Sequence, residues 1–243
     1  MIFTVDEKTY LSEDSLKLQD KLKKRAALKA VDFIKSGMKI GLGTGSTVFY
    51  ALEEIGKRIK TGELNNIEGI PSSDDTKRLA KKFGIKLTDF SKISRLDINI
   101  DGADEVDKKL NLIKGGGGAL LREKVVFQCA DLNLIIVDES KVSENLGEKW
   151  GVPVEVVPFA KDAVTPFIKK FKGSPVLRVD KNMKPAKTDQ GNLLYDCKFG
   201  IIENPSSLAK KLNTIAGIVE HGIFFPRNCK VIVAENEKIF ILE

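Results

Sequence analysis

One succession of elements constrains the fold more than any other: "MKIGLG" at residues 38–43, "TG" at 44–45 and "STVFYALEEIGKRI" at 46–59. A short apolar run that ends in glycines and hands over to apolar positions at helical spacing is half of a βαβ unit. The alternation continues on both sides. Apolar positions at helical spacing span 17–36 and stop at Gly37; after the first unit come a strand near 67–70, a helix over about 73–83 and a short strand near 85–88. "RLDINID" (95–101) reads as a strand, 119–130 as a helix and "LNLIIVD" (132–138) as another strand. This pattern predicts an α/β fold, a mostly parallel sheet covered by helices on both faces.

After "ESKVSENLGEKWG" (139–151) the texture changes. "VPVEVVPF" (152–159), a helix over about 161–171, "PVLRVD" (175–180), "NLLYD" (192–196), a helix over about 204–213 and "GIVEHGIF" (217–224) predict an α+β unit. Strands at "KVIVAE" (230–235) and "KIFILE" (238–243) follow. Residues 148–223 are therefore read as a smaller α+β domain inserted near the end of a larger one made of 1–147 plus 224–243.

Four stretches could carry chemistry, and three of them fall where predicted strands hand over to helices, the edge at which open α/β sheets bind ligands. In "GLGTGST" (41–47) the glycines permit a sharp turn. The helix is expected to be capped by Ser46 or Thr47, and its first N–H groups with the Ser46 and Thr47 hydroxyls make either a small-anion cradle or only a tight turn. A dinucleotide fingerprint would need glycine where Ser46 stands, and a P-loop would need lysine there, so nicotinamide and nucleotide chemistry lose weight. In "DINIDGADEVDKK" (97–109), Asp101, Asp104, Glu105 and Asp107 gather at or beyond a strand end, and clustered carboxylates raise at least one proton affinity. Asp97, Asn99, Asp101 and Gly102 match the early positions of a calcium loop, but Lys108 stands where its closing glutamate belongs, and a solvated turn is the remaining alternative.

"LIKGGGGALLREK" (112–124) sets four glycines between Lys114 and a helix that Ala119 begins and that carries Glu123 on its second turn. Four glycines cost more backbone entropy than a structural turn usually needs, and they let a ligand lie against the main chain. Glu123 alone, flanked by Arg122 and Lys124, would read as a surface helix charge. "DESK" (138–141) places Lys141 on the same predicted edge. The single histidine, His221, has no serine or cysteine motif beside it, so neither a hydrolase triad nor a histidine metal site is expected. What remains is acid–base chemistry by side chains: moving a proton between adjacent carbons of a small phosphorylated hydroxy-carbonyl compound, with a pocket-tuned glutamate as base.

The charge balance agrees with an anionic substrate without identifying one. Lys and Arg number 40 against 34 Asp and Glu, but they are scattered among acids, as in "KLQDKLKKRAALK" (17–29), and form no nucleic-acid stripe. Three distant cysteines, an acidic N-terminal stretch and the lack of any run of ~18 apolar residues predict a cytoplasmic protein with no membrane partner.

In order and spacing, "GLGTGST", "SSD" (72–74), "DGADEVD", "KGGGGALLREK" and "DESK" resemble the type A ribose-5-phosphate isomerases, and "PVEVVPFA" and "TDQGNLLYD" are similar to that family's later region. The resemblance runs from about Lys23 to the C-terminus. It implies a Rossmann-like domain with a smaller α+β domain, a homodimer or homotetramer, and interconversion of D-ribose 5-phosphate and D-ribulose 5-phosphate in the non-oxidative pentose phosphate route through an enediol(ate), without cofactor or metal. It further implies Glu123 as the base, and Asp101 and Asp104 as acids that open the ring and shuttle hydroxyl protons, with Gly102 and Ala103 between them contacting substrate. Lys114 with Gly115, Gly116 and Gly117 would hold the sugar; Thr44, Gly45, Ser46 and Thr47, with Lys23, the phosphate; and Lys141 a further part of the substrate. The chain departs from the family at its start, where "MIFTVDEKTYLSEDSL" is expected to extend the first helix or pack on a neighbour.

Overall fold

The computed structural model describes residues 13–236 and 238–243. The first half follows the predicted alternation: α1 (Glu13–Val31), β1 (Lys39–Leu42), α2 (Ser46–Lys60), β2 (Glu68–Pro71), α3 (Asp74–Lys82), β3 (Lys86–Leu87) and β4 (Leu96–Asp101). From Glu13 onward the N-terminal stretch does extend the first helix; the expectation for residues 1–12 lies outside the described residues. Two short strands, β5 (Glu105–Val106) and β6 (Leu112–Ile113), precede α4 (Leu120–Gln128) and β7 (Ala130–Asp138). Then come β8 (Val152–Val156), α5 (Val164–Lys170), β9 (Ser174–Leu177), β10 (Leu193–Lys198), α6 (Pro205–Asn213), β11 (Ile218–His221), β12 (Ile223–Phe224), β13 (Cys229–Glu235) and β14 (Lys238–Leu242).

Seven strands form the main sheet in the order β14-β13-β7-β4-β1-β2-β3. All pairs are parallel except β13 with the edge strand β14. The strand order reverses at β1, which has β2 on one side and β4 on the other, and such a switch point opens a crevice beyond the carboxyl ends of the strands. Register aligns those ends: Leu42 sits opposite Ile100, and the Gly43 N–H donates to the Ile100 carbonyl at 2.9 Å.

The sheet is buried on both faces, which explains the unbroken apolar run in β7. Leu134 and Ile136 pack with Ala26 of α1 and Val48 of α2, while Ile135 and Val137 pack with Phe127 of α4, Phe224 and Val231. Each fully buried aliphatic chain contributes about 1.5–3 kcal/mol. A second, antiparallel sheet, β11-β8-β10-β9, packs Val152, Val154 and Val156 against Ile168 of α5 and Leu212 of α6. A third, β12-β6-β5, was not anticipated, because two-residue strands are too short to show a period.

"GIVEHGIF" is divided at Gly222, where the chain leaves one sheet for another. Gly222 donates its N–H to the Pro153 carbonyl at 2.7 Å and accepts from the Lys114 N–H at 2.8 Å. A β-carbon there would lie 2.2 Å from the Lys114 carbonyl oxygen, so only glycine allows the crossing. No helix among the described residues is long and apolar enough to cross a membrane.

Candidate active site

Three chain segments converge beyond the switch point. β1 runs into residues 43–47, β4 ends at Asp101 and continues through Gly102–Asp104, and β6 runs into Lys114 and the glycine run that leads to α4. They wall a cavity of about 580 Å³. Of the residues expected at the site, Lys23, Thr44, Gly45, Ser46, Thr47, Gly102, Ala103, Asp104, Lys114, Gly115, Gly116, Gly117, Glu123 and Lys141 all line it. Asp101 does not, being buried one layer behind.

Lys114 is the hub. Its side chain is only 2% exposed, and Nζ lies 3.0 Å from Asp101 Oδ2 and 3.2 Å from Glu123 Oε2 while donating to the Gly102 carbonyl at 2.5 Å. Burial alone would discharge this ammonium, but Asp101, Glu123 and Asp104 outweigh it and hold its pKa above the ordinary lysine value. The other oxygen of Asp101 accepts from the N–H groups of Thr44, at 3.0 Å, and Gly102, at 2.8 Å. Asp101 thus ties the β1 loop, the β4 loop and Lys114 together.

Glu123 sits on the first turn of α4, one turn earlier than expected, because the helix begins at Leu120 with Ala119 as its cap. Burial pushes its pKa up to about 8; Lys114 opposes that shift, and the charges of Asp101 and Asp104 add to it. Its Oε2, though close to Lys114, receives no aligned hydrogen bond. A buried carboxylate oxygen without a donor holds a proton more readily than a solvated one. The result is a carboxyl group that exchanges a proton near neutral pH at the wall of a cavity. Asp104 is also raised by burial, against the pull of the Gly116 N–H, which donates to Oδ2 at 2.7 Å, and of Lys114.

The glycine run has local causes as well as room for a ligand. Gly115 and Gly118 hold φ of 101° and 83°, and a β-carbon on Gly116 would lie 2.6 Å from Asp104 Oδ1. Gly117 is different: its backbone is ordinary, and a β-carbon would meet only Thr44 Cγ2, at 3.4 Å. It is the position in the run whose missing side chain the fold does not itself require.

The expected cap on α2 is corrected. Gly45, at φ 117°, is the N-cap and provides no side-chain hydrogen bond, and no acid lies in the first turn. By contrast α3 is closed by Ser73, whose hydroxyl accepts from the Thr76 N–H, and carries Asp74 and Asp75. The start of α2 is therefore the one of the two that presents uncommitted N–H groups and positive dipole to an anion. Thr44 faces away from that role, with its hydroxyl 2.8 Å from Ser72 Oγ and 2.9 Å from Ser73 Oγ. Ser46 and Thr47 remain beside the cavity with Lys23, whose Nζ donates to Gln19 Oε1 at 3.4 Å, and Lys141 lies 4.8 Å from the ring centre of Trp150.

The acids of "DGADEVD" separate by task. Glu105 is structural, accepting from Ser143 Oγ at 2.7 Å and from the N–H groups of Gly147 and Lys149; Asp107 shapes a turn by accepting from the N–H groups of Lys109 and Asn111. Asp97 accepts from the Lys39 N–H and Asn99 donates to Asn133, so their side chains are turned to the sheet. His221 is packed, 2% exposed, and accepts from the Ile223 N–H. Sequence reading missed Arg178, Asp196, Lys198, Lys149 and Trp150, which also line the cavity. They come from distant segments, and only the "LR" and "YD" dipeptides inside strand-like runs marked two of them.

The family model described as "Ribose 5-phosphate isomerase A (phosphoriboisomerase A)" matches residues 68–238. A ribose-5-phosphate isomerase A of Desulfatibacillum aliphaticivorans is 49% identical over 89% of this chain and 94% of its own. A solved D-ribose-5-phosphate isomerase in complex with phospho-erythronic acid superposes with TM-score 0.90 at 40% identity, covering 92% of this chain and 98% of that one. Ribose 5-phosphate isomerase A of Methanocaldococcus jannaschii gives TM-score 0.88 at 40% identity over 93% of this chain and 99% of its own. With Glu123, Lys114 and the open helix start already gathered in one cleft, the matches over nearly the whole chain place it in the ribose 5-phosphate isomerase A family.

Proposed function

We propose that this protein interconverts D-ribose 5-phosphate and D-ribulose 5-phosphate through an enediol(ate), with Glu123 as the base. The observation that carries this reading is the Glu123 carboxyl: in the cavity wall, 3.2 Å from Lys114 and with a pKa of about 8. A group so tuned takes up and returns a proton at neutral pH with little free-energy cost in either direction. The relatives' shared name supplies the substrate.

The phosphate rests at the start of α2, near Ser46, Thr47 and Lys23, which leaves the sugar toward Lys114 and the glycine run. Asp104, with its raised proton affinity, opens the ring by proton transfer. Glu123 takes the C2 proton as the C2 electron pair moves toward C1 and negative charge gathers on the C1 oxygen. The Lys114 ammonium stabilises that charge. The C2 hydroxyl then loses its proton, with Asp104 carrying it to the C1 oxygen, while Glu123 returns its own proton to C1. Asp101 acts at one remove, holding Lys114 and the two loops.

Coupled detection of ribulose 5-phosphate formed from ribose 5-phosphate by purified, metal-free protein tests the proposal. No turnover above the uncatalysed rate would overturn it and leave a sugar-phosphate sensor. Faster turnover of arabinose or allose phosphates would change the substrate and keep the mechanism. We also propose a homodimer or homotetramer, since exposed Phe159, Ile201 and Phe240 are surface that self-association covers, and a cytoplasmic location, in keeping with the free thiols of Cys129, Cys197 and Cys229.

A further inference from the structure

We infer that Arg178, locked by Asp196, is a positioning residue that sets the orientation of two peptide groups in the glycine run and thereby aims the run at substrate. The inference rests on the isomerase reading above. Arg178 directly follows β9, with its N–H donating to the Leu194 carbonyl of β10 at 2.8 Å, and Asp196 lies in β10, both far in sequence from residues 114–118.

The guanidinium is divided between two tasks. Nε donates to Asp196 Oδ2 at 2.9 Å and Nη2 to Oδ1 at 2.5 Å, the paired geometry that fixes a guanidinium plane. Nη1 is left to donate to the Gly116 carbonyl at 2.9 Å and the Gly115 carbonyl at 3.3 Å. Lysine has no fork and cannot do both at once.

A trans peptide unit is rigid, with its carbonyl and its N–H on opposite sides. The Gly115 carbonyl, which accepts from the Gly118 N–H at 2.9 Å as well as from Arg178, sets the Gly116 N–H, which donates to Asp104 Oδ2 at 2.7 Å. Holding the Gly116 carbonyl sets the Gly117 N–H, which has no hydrogen-bond partner among the described residues. Gly117 lines the cavity and is the glycine whose lack of a side chain the fold does not itself require. The clamp thus keeps two carbonyl acceptors off a developing oxyanion, seats Asp104 and fixes one donor for substrate.

The run borders open space at its middle: Gly117 is exposed, and a second cavity of about 360 Å³ is also lined by Gly116, Gly117, Gly118 and Arg178. Glycine peptides in that setting turn over at little steric cost.

Arg178→Lys and Asp196→Asn test the inference by steady-state kinetics, melting temperature and amide exchange. The expected result for Arg178→Lys is a kcat lower by roughly 10²-fold, the scale of a lost oxyanion donor or a 1 Å misplacement. KM should change by less than about threefold, since the lost contacts matter more to the transition state than to the ground state. The pH limb set by Glu123 should stay in place, and the melting temperature should hold while kcat falls. Asp196→Asn should move kcat the same way by less. Wild-type kcat in folded Arg178→Lys would overturn the inference. So would a raised KM with kcat intact, which would make Arg178 a direct substrate contact. Amide exchange separates this inference from the isomerase reading: Gly116 should exchange at least ~10-fold faster in Arg178→Lys, whether or not the wild type turns over. Unchanged exchange there overturns the clamp, whereas absent wild-type turnover with faster exchange overturns only the assigned reaction.

Discussion

Two lysines flank the ring of Phe224, with Lys114 Nζ 5.5 Å from its centre and Lys124 Nζ 4.7 Å, yet they belong to opposite kinds of cluster. Lys114 faces Asp101, Glu123 and, further off, Asp104, and Glu123 is pushed up to about 8 first by burial and then by the charges of Asp101 and Asp104, against the pull of Lys114. Lys124 donates to one carboxylate, Glu220, at 2.8 Å, and to the His221 carbonyl at 2.6 Å. Burial lowers the pKa of Lys124, and burial followed by the charge of Lys124 lowers His221 to about 4, so that imidazole is neutral near pH 7. One cation, one anion and a neutral ring balance. That cluster clips α4 to β11; the other, one residue earlier along the same helix, is left needing a proton. Charge imbalance in a dry site is what separates chemistry from scaffolding here.

The comparison breaks most readily at Glu123. Glu123→Gln keeps the shape and removes the base, so kcat should fall by about 10³-fold with ligand binding retained; near-normal kcat would refute the contrast. Next is Lys114→Met, which takes the cation away from buried Asp101 and Glu123 and should cost about 3–5 kcal/mol in urea denaturation at pH 7. Stability within 1 kcal/mol of wild type would show that the cluster tolerates its charge.

The pH dependence sharpens the same point. With Glu123 raised from 4.5 to about 8, the native state keeps a proton that the unfolded chain gives up, so this group lowers stability as pH rises from about 4.5 to 8. Its base form should appear as a rising limb of kcat/KM near pH 8 that vanishes in Glu123→Gln. His221 has the opposite sign: lowered from 6.5 to about 4, it contributes stability that is full above 6.5 and lost as pH falls through 4. The smallest effect is expected at the balanced cluster. Lys124→Met should cost about 1–3 kcal/mol and leave the Glu123 limb in place. A shifted limb would mean that the two clusters communicate through Phe224.

Much of the frame was legible because it rests on local pattern. The β1 turn into α2, the apolar run of β7 and the acids at the end of β4 lie within a few residues of their predicted places. What sequence reading missed depends on approach between distant segments. The division at Gly222 follows from the Pro153 and Lys114 backbone beside it, and the clamp of Arg178 on Gly116 from a segment more than fifty residues away; the empty cap on α2 is a local exception, set by the backbone at Gly45.

Periodicity and glycine placement act over a single turn or strand, so the alternation of strands and helices, the edge at which chemistry gathers and the residue types available there are written in the chain. Which acids share a lysine is settled by folding alone. Asp101, Glu105 and Asp107 look alike in "DGADEVD", and burial beside Lys114, Ser143 or the Asn111 turn sends them to different tasks. Proton affinity is a property of surroundings, and folding supplies the surroundings.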